Sequence, residues 1–190
     1  MTEAFRLVSH SEDATRRLGR LLGGALQPGL TVLLSGDLGA GKTVFVKGVG
    51  DALGLETVRS PSFTLINEYR SERLILAHAD LYRLDEDGAD ELGLEEYAGS
   101  GDAVLIVEWP ERWRFPPDTD VLRVTLRAPE EGVRVLEVRA CGPRAAAAAA
   151  ALYGAAAESG AGDAGSAGNA GNAGKKCLGA GLCGEGGELP

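Results

Sequence analysis

No apolar stretch in this 190-residue chain approaches the roughly 20 residues of a membrane span. The N-terminus lacks the basic, apolar and small-residue succession of a signal peptide. A soluble, cytoplasmic protein with no membrane partner is therefore expected. Cysteine is scarce: Cys141, Cys177 and Cys183 cannot all pair within one chain. The last two are separated by five residues with no histidine near, a poor zinc spacing, so reduced thiols without a function are expected. Positive charge is also short. The net charge is −9, and residues 1–142 hold 16 Lys and Arg against 24 Asp and Glu. Seven carboxylates crowd Asp85–Glu96 with no base among them, which reads as a solvated face or as a docking face for a basic partner. Such a domain repels phosphate backbones, so direct nucleic-acid binding is not expected. After Pro143 large side chains give way to Ala and Gly. With so little to bury, 143–190 is expected to be a low-complexity, disordered tail behind a folded domain at 1–142. Ala145–Leu152 is a run of mostly alanine whose isolated helix is marginal in water.

What is present is an alternation of periods. Phe5–Val8 is a strand candidate. Ser9 and Glu12 have capping-box spacing, and Ala14, Leu18, Leu21, Leu22 and Ala25 recur at helical spacing, predicting a helix over Ser11–Leu26. Leu30–Ser35 is a continuous apolar run suited to a strand buried on both faces. Lys42–Leu53 is again helical, with Gly54 as its stop. Phe63–Tyr69 with Leu74–Ala79, and Val121–Leu126 with Val133–Val138, read as hairpins, and Ala103–Val107 as another buried strand. No internal repeat is visible. The expected fold is α/β, a P-loop NTPase-like three-layer sandwich with a mixed, partly antiparallel sheet.

Between the first buried strand and the second helix lies GDLGAGKT, Gly36–Thr43, a full match to G-x-x-x-x-G-K-[ST] in the right context. The glycines let backbone N–H groups turn toward phosphates at a helix N-terminus. Asp37, Leu38, Gly39, Ala40 and Gly41 would line the nucleotide, here ATP. Lys42 supplies a cation for the β- and γ-phosphates, and the Thr43 hydroxyl a ligand for Mg2+. Such an enzyme needs an acid near the metal. Glu108, ending VLIVE, is the first candidate for metal ligand and catalytic acid, and Asp80, ending LILAHAD, the second. His78 would share a strand face with Asp80, as its partner or as a structural histidine. Trp109 would wall the site and Trp113 cover core. Ser60–Thr64 is either a loop sensing the γ-phosphate or a simple turn.

The motifs taken together, GDLGAGKT, SPSFTLINEY at Ser60–Tyr69, HADLYRL at His78–Leu84, LGLEEY at Leu92–Tyr97 and VEWPER at Val107–Arg112, resemble the TsaE (YjeE) family over about residues 5–140. Ser62 stands where that family usually has Thr. The resemblance implies a weak, partner-activated, Mg-dependent ATPase in the biosynthesis of threonylcarbamoyladenosine, the modified adenosine of tRNAs reading ANN codons. It implies action with the TsaB–TsaD heterodimer rather than the transfer itself. Lys42 and Thr43 carry over as nucleotide and metal residues, Glu108 and Asp80 as acids at the metal, and Ser11 or its neighbours as an adenine contact. Two other readings share the loop: a small-metabolite kinase, for which no lid helix with paired arginines is seen, and a nucleotide-dependent binding switch with negligible turnover.

Overall fold

The structure, a computed structural model, describes residues 4–159 and 163–166. Strand β1 (Ala4–Ser9) leads into helix α1 (Glu12–Ala25), whose first turn Ser11 caps by accepting from Ala14 N at 3.0 Å. Strand β2 (Thr31–Ser35) is followed by helix α2 (Lys42–Ala52). The hairpin β3 (Ile66–Arg70) and β4 (Ile75–Asp80), the short helix α3 (Glu86–Asp90) and β5 (Ala103–Glu108) come next. A long hairpin, β6 (Val121–Glu130) and β7 (Val133–Cys141), helix α4 (Pro143–Ser159) and the edge strand β8 (Asp163–Ser166) complete the described chain.

The strands form one mixed sheet in the order β3-β4-β5-β2-β6-β7-β1-β8. β4, β5, β2 and β6 run parallel, and β3, β7, β1 and β8 are antiparallel to their neighbours. The all-apolar runs at β2 and β5 occupy the centre, covered on both faces, as their lack of alternation requires. One face carries α1, α2 and α4 over Leu7, Val32, Leu34, Leu122, Val124, Leu126, Leu136 and Val138. The other is covered from β4 to β2 by Leu81, Ala89, Leu94 and Trp113, so Trp113 lies in core as expected. The fold class is as the sequence predicts.

Two expectations are corrected. Order does not stop at Gly142. Pro143 opens α4 at a position where a missing N–H costs nothing. Ala145, Ala148, Ala149, Leu152 and Ala156 are buried against α1 and the sheet. The stripe of small side chains lets the helix backbone lie close to its neighbours, and this tertiary burial overrides the poor stability of a short isolated helix. Asp120 fixes the start of α4, accepting from Arg144 N at 2.8 Å and from its guanidinium at 2.6 Å. β8 also falls inside the expected tail, paired with β1; 160–162 and 167–190 lie outside the described residues. The second correction is Cys141, which is disulfide-bonded rather than reduced. Spacing along a sequence cannot say which sulfurs a fold brings together. Cys177 and Cys183 lie outside the described residues. Among the described residues no helix is long and apolar enough to cross a membrane.

Candidate nucleotide site

The loop 36–41 leaves the C-terminal end of β2 and enters α2 at the switch point of the parallel strands, where α/β folds place ligands. Gly36 has φ +133°, and a Cβ there would sit 2.1 Å from Leu126 O, so only glycine lets the loop pass β6. Gly41 starts α2 in the left-handed region and offers no side-chain cap. The first-turn N–H groups of α2 are thereby left to an anion.

A cleft of about 320 Å³ opens beside this loop, and most of the predicted site residues line it: Leu38, Gly39, Gly41, Lys42, Thr43, Asp80, Glu108 and Trp109. Lys42 is buried, and its Nζ donates to Gly36 O at 2.6 Å and Asp37 O at 3.0 Å. It also lies 4.1 Å from the centre of the Trp109 ring, a cation–π contact. Burial pushes its ammonium below the ordinary lysine value, and Glu108 and Asp80 oppose that shift. Trp109 reaches this place through a left-handed backbone, φ 59°. Its ring meets Tyr82 at 4.9 Å.

Asp80 and Glu108 are register partners at the ends of β4 and β5. Glu108 accepts from the Thr43 hydroxyl at 3.1 Å and is bonded to His78 Nε2 at 3.0 Å, both through Oε1. Asp80 accepts from Ser60 at 3.1 Å, Ser62 at 2.9 Å and Tyr82 N at 3.1 Å. Ser60 and Ser62 thus hold the second acid at the cleft wall. His78 contacts Glu108 across the strands, not Asp80 along its own strand, a bond that its place in HADLYRL did not signal.

Three predicted contacts stand apart from the cleft wall. The Ser11 hydroxyl is engaged in capping α1. Ala40 is buried, and Asp37 takes part through its backbone carbonyl. Beyond the loop a second cleft, about 350 Å³, is lined by Glu12, Thr15, Val44, Glu131, Gly132 and Arg134 together with Gly39 and Gly41. Its Glu131 and Gly132 read in sequence only as a hairpin turn.

The donor set fits magnesium. No group of three or more His, Cys, Asp or Glu converges on a metal position among the described residues. One hydroxyl with one carboxylate, both oxygen donors, is the protein share that this ion takes when phosphates and water complete its shell. A triphosphate fits the uncapped helix start and the adjoining lysine.

Fold and site together define a P-loop NTPase-like protein. The family described as "Threonylcarbamoyl adenosine biosynthesis protein TsaE" matches residues 9–136. Several proteins called tRNA threonylcarbamoyladenosine biosynthesis protein TsaE are similar to this chain. One from a Nostoc strain is 43% identical over 131 residues, 67% of this chain and 80% of its own. One from Treponema pallidum is 40% identical over 137 residues, 70% of this chain and 99% of its own. The crystal structure of YdiB from Bacillus subtilis superposes with a TM-score of 0.65 at 31% identity, over 80% of this chain and 95% of that one. The chain belongs to the TsaE family.

Proposed function

We propose that the protein binds ATP with Mg2+ in the 320 Å³ cleft and hydrolyses it. The reading extends to the biosynthesis of threonylcarbamoyladenosine in tRNAs reading ANN codons. There the protein acts in the cytoplasm with the TsaB–TsaD heterodimer, which performs the transfer and handles the tRNA. The observation that carries the chemistry is the chain from Thr43 through Glu108 to His78, set across from Lys42. The α2 N-terminus and Lys42 hold the phosphates. Thr43 and Glu108 would hold the ion, with Asp80 beside them, and a bound Mg2+ would supply positive charge against the γ-phosphoryl oxygens. Glu108 orients the attacking water and accepts its proton as the β–γ bridging bond breaks, releasing ADP and phosphate. His78 fixes the carboxylate that does this.

Calorimetry with MgATP and a phosphate-release assay test it. The unaltered chain should bind one nucleotide and turn over slowly, and faster when TsaB–TsaD is added. Lys42→Ala should abolish detectable binding. Glu108→Ala should lower turnover about 100-fold or more with binding retained. Phosphate release unchanged in both variants would sink the catalytic assignment. Turnover indifferent to TsaB–TsaD would remove the partner.

A further inference from the structure

Away from the nucleotide cleft, the β6–β7 end of the face opposite α1, α2 and α4 carries no helix among the described residues. Leu122, Val124 and Leu126 of β6, and Leu136 and Val138 of β7, point to the helical side. Alternation therefore sends Arg123, Thr125 and Arg127, with Glu137 and Arg139, to the opposite side. These five, with Leu33 and Ser35 of β2, line a cleft of about 270 Å³. Arg6 of β1, opposite Glu137 in register, adds a further cation at its margin. In a chain of net charge −9, this face is basic.

The arrangement is costly for a surface without a ligand. Arg123 and Arg139 are direct register partners across β6 and β7, and like charges so placed repel. Glu137 is engaged with Arg127 at 3.8 Å, and neither Arg123 nor Arg139 makes an ion pair among the described residues. Arg123 is half-buried, and burial pushes its guanidinium below the ordinary value with no carboxylate offsetting it. Two planar forks side by side, with the Thr125 and Ser35 hydroxyls on the same wall, match the oxygens of a multiply charged phosphate.

We propose that the cleft between β2, β6 and β7 is a second anion site, taking a small diphosphate-bearing ligand on Arg123 and Arg139. The small volume and the acidic remainder of the molecule favour such a ligand over a nucleic-acid strand.

The test is a calorimetric titration of pyrophosphate, without metal, into the full-length chain, its Lys42→Ala variant and its Arg123→Gln/Arg139→Gln variant. One equivalent should persist in Lys42→Ala, where the phosphate loop has lost its cation. In the arginine variant that equivalent should weaken at least tenfold. Melting gives an independent reading: the arginine variant, relieved of opposed cations, should melt no lower than the unaltered chain, and pyrophosphate should raise the melting temperature of Lys42→Ala but not that of Lys42→Ala with both arginines replaced. The proposal is overturned if Lys42→Ala binds no pyrophosphate, if binding is indifferent to the two arginines, or if a short single-stranded RNA displaces pyrophosphate at lower concentration than free pyrophosphate does.

Discussion

Glu108 Oε1 receives both the Thr43 hydroxyl and His78 Nε2, so the carboxylate is oriented by donors from α2 and β4 at once. Removing one buried partner leaves the other unsatisfied, a loss of about 1–3 kcal/mol. His78→Phe should lower unfolding free energy by that amount in a urea titration, and lower turnover more than nucleotide affinity, because Glu108 loses its orientation but Lys42 does not. Lys42 makes a second prediction. Its folded value lies below its unfolded one, so between the two the unfolded chain holds a proton that the folded chain has released. Its contribution to stability therefore rises with pH across that window. The difference in melting temperature between the unaltered chain and Lys42→Met should shift in favour of the unaltered chain as pH climbs through that window toward the ordinary lysine value. A difference that stays flat would mean that burial leaves the ammonium unperturbed.

Helices α1 and α2 meet through glycine. A Cβ on Gly19 would come 2.0 Å from Phe45 O, and one on Gly48 2.0 Å from Arg16 O. Gly19→Ala should force the helices apart and cost about 1–3 kcal/mol, read by denaturant unfolding. Across the same contact Arg16 grips Asp51 at 2.7 Å with two nitrogens, and this hydrogen-bonded pair holds the Asp51 carboxyl below the usual aspartate range. The stabilisation is present above the unfolded aspartate value and is lost as pH falls through the lower folded one. Asp51→Asn should therefore melt lower than the unaltered chain at neutral pH and approach it in acid. The helices were legible because their apolar residues recur at helical spacing, and β2 and β5 because their runs are apolar without interruption. The loop 36–41 between β2 and α2 was legible because its glycines and the lysine and threonine that follow stand in a fixed order. The partner of His78 was not, since it depends on which strand lies beside β4. Nor was the arginine face, since alternation along β6 and β7 shows two faces without saying which one helices cover. At α4 the composition misled: alanine offers little area to bury, yet its smallness is what allows close packing.

On the scale of the molecule, α4 is part of the folded unit. Truncation after Gly142 removes the buried Leu152 and four buried alanines, and strips cover from Phe5 and the sheet, Phe5 losing its edge contact with Tyr153 at 5.1 Å. Leu152 alone contributes about 1.5–3 kcal/mol. The truncated chain should melt well below the full one in a thermal scan; coincident transitions would place α4 outside the cooperative core. The same wide reach governs how the polypeptide is made. β1, which precedes the other described strands along the chain, is held by β7, with Phe5 opposite Val138 and Leu7 opposite Leu136. At roughly 5–20 residues per second, its edge waits on the order of 10 seconds for a mate. Until β7 follows, Phe5 and Leu7 have no strand beside them and stay open to capture by a chaperone.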